Sequence, residues 1–332
     1  MFNGIIILAS ASLLINFDYL KEEMALIIIS RKSNQKIWLE ALKMVEPDLD
    51  IRIYPDDKDS KEVEFALAWH PPLGVFKNYP NLKVIASTGA GVDHIIKDSD
   101  IPENVAITRV VDDRLTRDMT SYLIAQVLNH LRNITEYRIL QEKQLWVPKP
   151  YMNESKIRIG IMGMGELGQD AATKFIQLGF KVHGWVRTDK KIAGVQLFIG
   201  KDAFPEFLNQ SDILICLLPL TKTTGNILNK KTFSQLPKGA YIINVARGEH
   251  LVDNDLVEAI DSGHLSGACL DVFREEPLPK DHIFWQHSKI LITPHIASVT
   301  CWETVAPQIL DNYHRMQKGK KLLHLVSKSA GY

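Results

Sequence analysis

The sequence predicts an α/β protein made of two doubly wound, parallel-sheet (Rossmann-like) domains with an active-site cleft between them. Three observations carry this reading. The chain has 332 residues, beyond the ~250–300 at which a single hydrophobic core stops growing. Short apolar runs alternate with stretches of helical length, the mark of βαβ units on a parallel sheet. The rhythm also starts twice, the second time just before a glycine-spaced loop at 163–168.

In the first series the strand candidates are 26–29, 50–54, 65–69, 82–87 and 105–110. Residues 35–45 (QKIWLEALKMV) space their apolar side chains along one helical face. From Lys156 the series restarts, with candidates at 157–162, 181–186, 212–218, 240–245, 267–272 and 290–293. Between the two lies a helical stretch, 119–131, followed by TEYRILQEKQLWVPKPY. That second stretch is polar, holds Trp146, and ends in a proline-rich linker, so it reads as an arm leaving the globule. Residues 302–316 are again helical and are expected to pack back on the first domain. The domain division that follows is 24–117 with 300–332 as a discontinuous substrate-binding domain, and 118–299 as a dinucleotide-binding domain. The second includes the arm at about 137–151, expected to make a homodimer.

Composition narrows the function. With 45% hydrophobic and 23% charged residues and zero formal net charge, the chain is an ordinary globular one. It lacks the basic excess of a nucleic-acid binder. Cys216, Cys269 and Cys301 lie far apart with no CxxC spacing, which predicts no metal site and suits a reducing cytoplasm. An apolar run from Gly4 to Phe17 is shorter than the ~20 residues a helix needs to span a bilayer. No Lys or Arg precedes it, as a secretory signal would require. Residues 1–23 are therefore read as a doubtful extension, with translation expected from Met24 and a membrane-tethering extension as the alternative; no membrane partner is expected.

The loop IMGMGELGQ places Gly163, Gly165 and Gly168 in GxGxxG spacing between a strand and a helix. The first glycine permits a tight turn, the second lets backbone approach a pyrophosphate, and the third brings helix against strand. With Glu166 and Leu167, these residues would hold the diphosphate on the positive end of the helix dipole. Glycine spacing alone would be read as a turn; the strand–helix context makes it a dinucleotide site. The next strand, KVHGWV, ends at Val186, where an NAD site would want an acid for the ribose hydroxyls. Arg187 and Thr188 follow instead, and a guanidinium suits a 2′-phosphate. The cofactor expected is therefore NADP, with NADPH preferred over NADH. A solvated arginine at a strand end is the plainer alternative.

Three residues at strand ends of the second series suit 2-keto-acid reduction: Arg247 in NVARGEHLVD, Glu276 in LDVFREEPLP and His295 in ITPHIAS. Each alone has a structural reading, as a surface charge, a turn acid or a loop histidine. Together, ARG…LDVFxxEP…TPHIA resembles the D-isomer-specific 2-hydroxyacid dehydrogenases over residues 24 to 332, most closely their glyoxylate/hydroxypyruvate reductase A branch. AWHPP (68–72), STGAGVD (87–93), YRILQEKQLW (137–146), LPKGAYIINVARG (236–248) and the final GY support that branch.

The resemblance implies that Arg247, Glu276 and His295 are catalytic. Backbone amides of Gly89, Ala90 and Gly91 would receive the substrate carboxylate. Arg247 would bridge carboxylate and keto oxygen, and His295 would donate the proton as general acid, paired with Glu276. Asp271 would hold the nicotinamide amide, and Leu218 and Pro219 would line the adenosine side. Val245 and Ala246 complete the expected cofactor contacts, and Trp69 the substrate pocket, with a core aromatic at a strand end as its alternative reading. Glyoxylate and hydroxypyruvate are not ranked by sequence, since one extra group shifts discrimination only modestly. The competing readings are another dehydrogenase of the superfamily, such as a phosphoglycerate enzyme, and a nicotinamide-sensing corepressor.

Overall fold

The first series folds into a parallel sheet of five strands in the order β2-β1-β3-β4-β5. These are β1 (Ala25–Ile29), β2 (Ile51–Ile53), β3 (Val63–Ala68), β4 (Val84–Ser87) and β5 (Ala106–Thr108). The computed structural model describes residues 24–30, 32–56 and 58–332; the extension read at 1–23 lies outside them. Every residue of β1 and β3 is buried, as a parallel sheet covered on both faces requires. Helix α1 (Lys32–Val45) buries Trp38, Ala41 and Leu42 on that sheet, an i, i+3, i+4 stripe. A short helix, α2 (Asp93–Ile96), follows β4.

The second series gives seven parallel strands: β6 (Arg158–Met162), β7 (Lys181–Val186), β8 (Gln196–Ile199), β9 (Ile213–Cys216), β10 (Ala240–Asn244), β11 (Leu265–Leu270) and β12 (Ile290–Ile292). Their order is β12-β11-β10-β9-β6-β7-β8. The chain reverses direction across the sheet between β6 and β9, and ligands bind α/β sheets in the crevice beyond such a switch.

The remaining helices are α3 (Asp113–Leu131), α4 (Ile134–Glu142), α5 (Glu166–Gln177), α6 (Phe204–Asn209), α7 (Lys230–Ser234), α8 (Asp253–Asp261) and α9 (Trp302–Gln317). Helix α9 returns to the first sheet, where Tyr313 meets Phe65 edge to face at 5.7 Å between ring centres. Its hydroxyl donates to the Met24 carbonyl at 2.5 Å. Helix α3 packs Leu115 into the core of the first sheet and Met119, Leu123 and Val127 into that of the second. Among the described residues, no helix is long and apolar enough to cross a membrane.

Three elements differ from expectation. Strand β8 was not expected; its short QLFI run has one buried residue and sits at the sheet edge. Helix α3 begins six residues before the expected 119, at Asp113, because the Asp112 carboxylate accepts from the Leu115 amide at 2.9 Å and caps it. The arm, for which only a polar excursion and no helix was specified, carries α4, whose side chains are all at least partly exposed.

Candidate active site

The loops at the C-terminal ends of both sheets enclose one cleft of 1770 Å³. Every residue singled out from sequence as a site residue lines it. Arg247, just after β10, crosses this cleft. Its Nε donates to Asp93 Oδ1 at 2.9 Å and its Nη1 to the Ala246 carbonyl at 2.7 Å. The guanidinium lies so close to the loop after β4 that a Cβ on Gly91 would sit 1.7 Å from Nη2. Only glycine leaves that space. The loop itself is tied by Ser87, whose Oγ donates to the Gly91 carbonyl at 2.8 Å and accepts from the Gly89 amide at 3.2 Å.

Asp93 is mostly buried, and burial alone would raise its pKa. The Arg247 charge and hydrogen bond outweigh that and hold the carboxyl below its ordinary range. Behind it, Trp69 packs on His94 at 4.2 Å between ring centres. Burial pushes the His94 imidazole down to about 3, so it is neutral. A Cβ on Gly89 would meet the Trp69 ring at 2.8 Å, so indole and loop form one wall of the cleft.

Across from this wall, His295 Nδ1 lies 2.8 Å from Glu276 Oε2, while Glu276 Oε1 accepts from the Phe273 amide at 3.0 Å. The pairing fixes Nδ1 against the carboxylate and leaves Nε2 for the cleft. Burial would raise the Glu276 pKa, but the His295 bond, the Phe273 amide and the charges of His295 and Arg247 lower it below the usual carboxylate range. His295 adopts φ +55, a left-handed conformation costing about 1–3 kcal/mol for a non-glycine residue. Asp271 holds it there. Its carbonyl accepts from the His295 amide at 2.8 Å, and its buried carboxylate accepts from Thr293 Oγ1 (2.5 Å), Ile296 N (2.9 Å) and Ala297 N (2.9 Å). The residue expected at a nicotinamide amide thus visibly shapes the histidine loop.

The glycine loop opens α5 as expected. Gly163 has φ +98, and a Cβ there would lie 2.7 Å from the Leu217 carbonyl oxygen. A Cβ on Gly168 would lie 2.1 Å from the Gly163 oxygen, whereas one on Gly165 would meet nothing within 4 Å. The first and third glycines are therefore set by packing, and the second faces open cleft beside the free amides of a helix N-terminus. Leu218 and Pro219 follow β9 on the facing side, with the Leu218 carbonyl 3.0 Å from His250 Nε2. Val245 and Ala246 follow β10. Arg187 and Thr188 stand exposed at the rim after β7.

Sequence reasoning assigned no role to two residues that matter here. Asp93 lay inside the quoted STGAGVD stretch, and an acid two places after Gly91 was the available signal. Lys190 donates from Nζ to the Met164 carbonyl and lines the same cleft as Arg187; the only signal was a basic residue shortly after the β7 end. The described residues contain no cluster of three or more His, Cys, Asp or Glu side chains placed to hold a metal.

Comparison with known proteins agrees with this geometry. Residues 124–297 match the model for the D-isomer-specific 2-hydroxyacid dehydrogenase, NAD-binding domain. The chain is 40% identical over 302 residues to glyoxylate/hydroxypyruvate reductase A of Yersinia enterocolitica, covering 90% of this chain and 96% of that one. A D-isomer-specific 2-hydroxyacid dehydrogenase from Xanthobacter autotrophicus Py2, solved with NADPH and MES, superposes with TM-score 0.88 at 39% identity, covering 93% of this chain and all of that one. The NADPH-dependent glyoxylate/hydroxypyruvate reductase of Sinorhizobium meliloti, solved with NADP and sulfate, gives TM-score 0.86 at 34% identity over 93% and 100% of the two chains. Glycine loop, arginine, histidine–glutamate pair and these matches lead to one conclusion: the chain belongs to the D-isomer-specific 2-hydroxyacid dehydrogenase family.

Proposed function

We propose that this chain reduces small 2-keto acids with NADPH, glyoxylate to glycolate and hydroxypyruvate to D-glycerate. The observation that carries the reading is the convergence of Arg247, the His295–Glu276 pair and the 89–91 loop in the cleft that also holds the glycine loop. The reductases of Yersinia enterocolitica and Sinorhizobium meliloti support the substrate and cofactor named. The open space before Gly165 fits a pyrophosphate. Gly163, Gly165, Glu166, Leu167 and Gly168 would hold it, and Arg187 with Thr188 would meet the 2′-phosphate. Leu218 and Pro219 would flank the adenosine, and Val245, Ala246 and Asp271 the nicotinamide end.

When bound, NADPH supplies the hydride that reduces the keto carbon. Amides of Gly89, Ala90 and Gly91 orient the substrate carboxylate, and Trp69 bounds its pocket. Arg247 polarises the keto oxygen as negative charge develops there. His295 donates a proton from Nε2 to that oxygen, and the Glu276 carboxylate steadies the imidazolium before transfer. Loss of nicotinamide absorbance on adding glyoxylate or hydroxypyruvate to protein and NADPH tests the proposal. Nucleotide binding without turnover of either acid would overturn it in favour of a nicotinamide-sensing module.

We further assign residues 24–117 and 300–332 to a substrate-binding domain and 118–299 to the cofactor domain, in a cytoplasmic homodimer. Trp146 is 97% exposed on the arm, with Leu145, Val147 and Tyr151 exposed around it. Such an apolar surface fits a second copy of the chain. Three free, buried cysteines fit a reducing compartment. Light scattering that finds a monomer at micromolar concentration would overturn the dimer.

A further inference from the structure

Residues 324–332 leave the first sheet and end against the second. Their root is anchored at the edge strand β5: the His324 carbonyl accepts from the Arg109 amide at 3.2 Å, and the Val326 amide donates to Ile107 at 2.8 Å. Lys328 Nζ donates to the carbonyls of Pro102 (2.8 Å) and Glu103 (3.0 Å). The tip is closed on itself by the Gly331 amide, which donates to the Ser327 carbonyl at 2.9 Å. It then rests on the cofactor side of the cleft. A Cβ on Gly331 would come 3.1 Å from Thr221 Cγ2, and the Tyr332 ring lies under the Arg187 guanidinium, 5.2 Å from Cζ to ring centre.

We propose that Tyr332 is a specificity-determining residue for the cofactor, holding the Arg187 guanidinium in place to receive the 2′-phosphate. This rests on the NADPH reading above. Arg187 is exposed at a strand end and has no acid beside it among the ion pairs of the described residues. Left alone, such a side chain samples many rotamers and loses them on binding a phosphate. A ring stacked on the guanidinium restricts that sampling beforehand while leaving the N–H edge free for phosphate oxygens. The ring is delivered by a segment rooted in the other sheet, so the arginine is set by residues about 145 positions away, beyond the reach of any local motif.

The test is calorimetric titration with adenosine 2′,5′-bisphosphate and adenosine 5′-monophosphate, which differ by the 2′-phosphate alone. Tyr332→Ala should weaken the bisphosphate by about two- to tenfold, the cost of one freed rotamer-rich side chain. It should leave the monophosphate within twofold of wild type, and Tyr332→Phe should restore wild-type selectivity. A selectivity unchanged in Tyr332→Ala, an equal loss for both nucleotides, or a Phe variant as poor as the Ala variant would each overturn the proposal. Arg187→Ala separates the two readings. If it abolishes selectivity while Tyr332→Ala does not, Tyr332 alone is excluded; if it leaves selectivity intact, the Arg187 reading fails and this inference with it.

Discussion

Asp93 and Arg247 join the two halves of the cleft, the carboxylate from the N-terminus of α2 and the guanidinium from the end of β10, 2.9 Å apart. The pair aims Arg247 past Gly91. Asp93→Asn keeps the shape but weakens the hold, so kcat/KM for the keto acid should fall about tenfold, the equivalent of 1.4 kcal/mol. Gly91→Ala should cost more, because the added Cβ would lie 1.7 Å from Nη2 and displace the guanidinium. Steady-state kinetics with unchanged values for both variants would remove Asp93 and Gly91 from this role.

His295→Ala should lower keto-acid reduction by about 10²–10⁴-fold, the usual contribution of a positioned general acid. NADPH binding, followed by nicotinamide fluorescence, should persist. Retained turnover would place the proton donor elsewhere.

Glu276 has a depressed pKa in the folded protein. A depressed carboxylate pKa means the folded state favours the ionised form, so its stabilisation is present above the unfolded value of about 4.3 and is lost as pH falls through the lower folded value. Glu276→Gln lacks this term at every pH. The melting-temperature gap between wild type and variant should therefore be largest near neutrality and shrink in acid. A gap constant from neutral to acid pH would show that the carboxylate's charge contributes nothing.

Cofactor choice should follow the end of β7. Val186 offers no acceptor to ribose hydroxyls, while a hydrogen bond from Arg187 to a charged phosphate contributes roughly 1.5–3 kcal/mol, about a ten- to hundredfold preference for NADPH. Arg187→Ala should raise KM for NADPH and barely alter NADH kinetics. Adding Val186→Asp should swing preference toward NADH. Equal weakening of both cofactors would make Arg187 an ordinary surface charge.

Much of this was legible because it is written in local pattern. Runs such as ALIII and KVHGWV declare strands, GxGxxG after β6 declares a phosphate loop, and Arg247, Glu276 and His295 sit in motifs long enough to be read together. Strand β8 escaped because a four-residue edge strand with one buried side chain carries too little hydrophobic signal. Asp93 and Tyr332 escaped for a different reason. Their partners lie 154 positions away in one case and in a separate sheet in the other, and no spacing rule reaches that far. Asp271 was singled out in the sequence and lines the cleft, but its grip on the 293–297 loop is a matter of three dimensions alone.

The return of α9 to the first sheet has a consequence for how the protein is made. Val305, Ile309 and Tyr313 complete the core around Leu26, Trp38 and Phe65, so β1–β5 lack one cover until α9 has left the ribosome. The second sheet needs only residues 119–297 for its own core, and can mature first, although it is later in sequence. Domains usually fold in order of synthesis; here that order should be inverted. In chains stalled on the ribosome before α9 emerges, hydrogen exchange should find amides of β6, β9 and β10 protected and those of β1 and β3 open, and protection of β1 and β3 in such chains would show that the first sheet closes without its last helix.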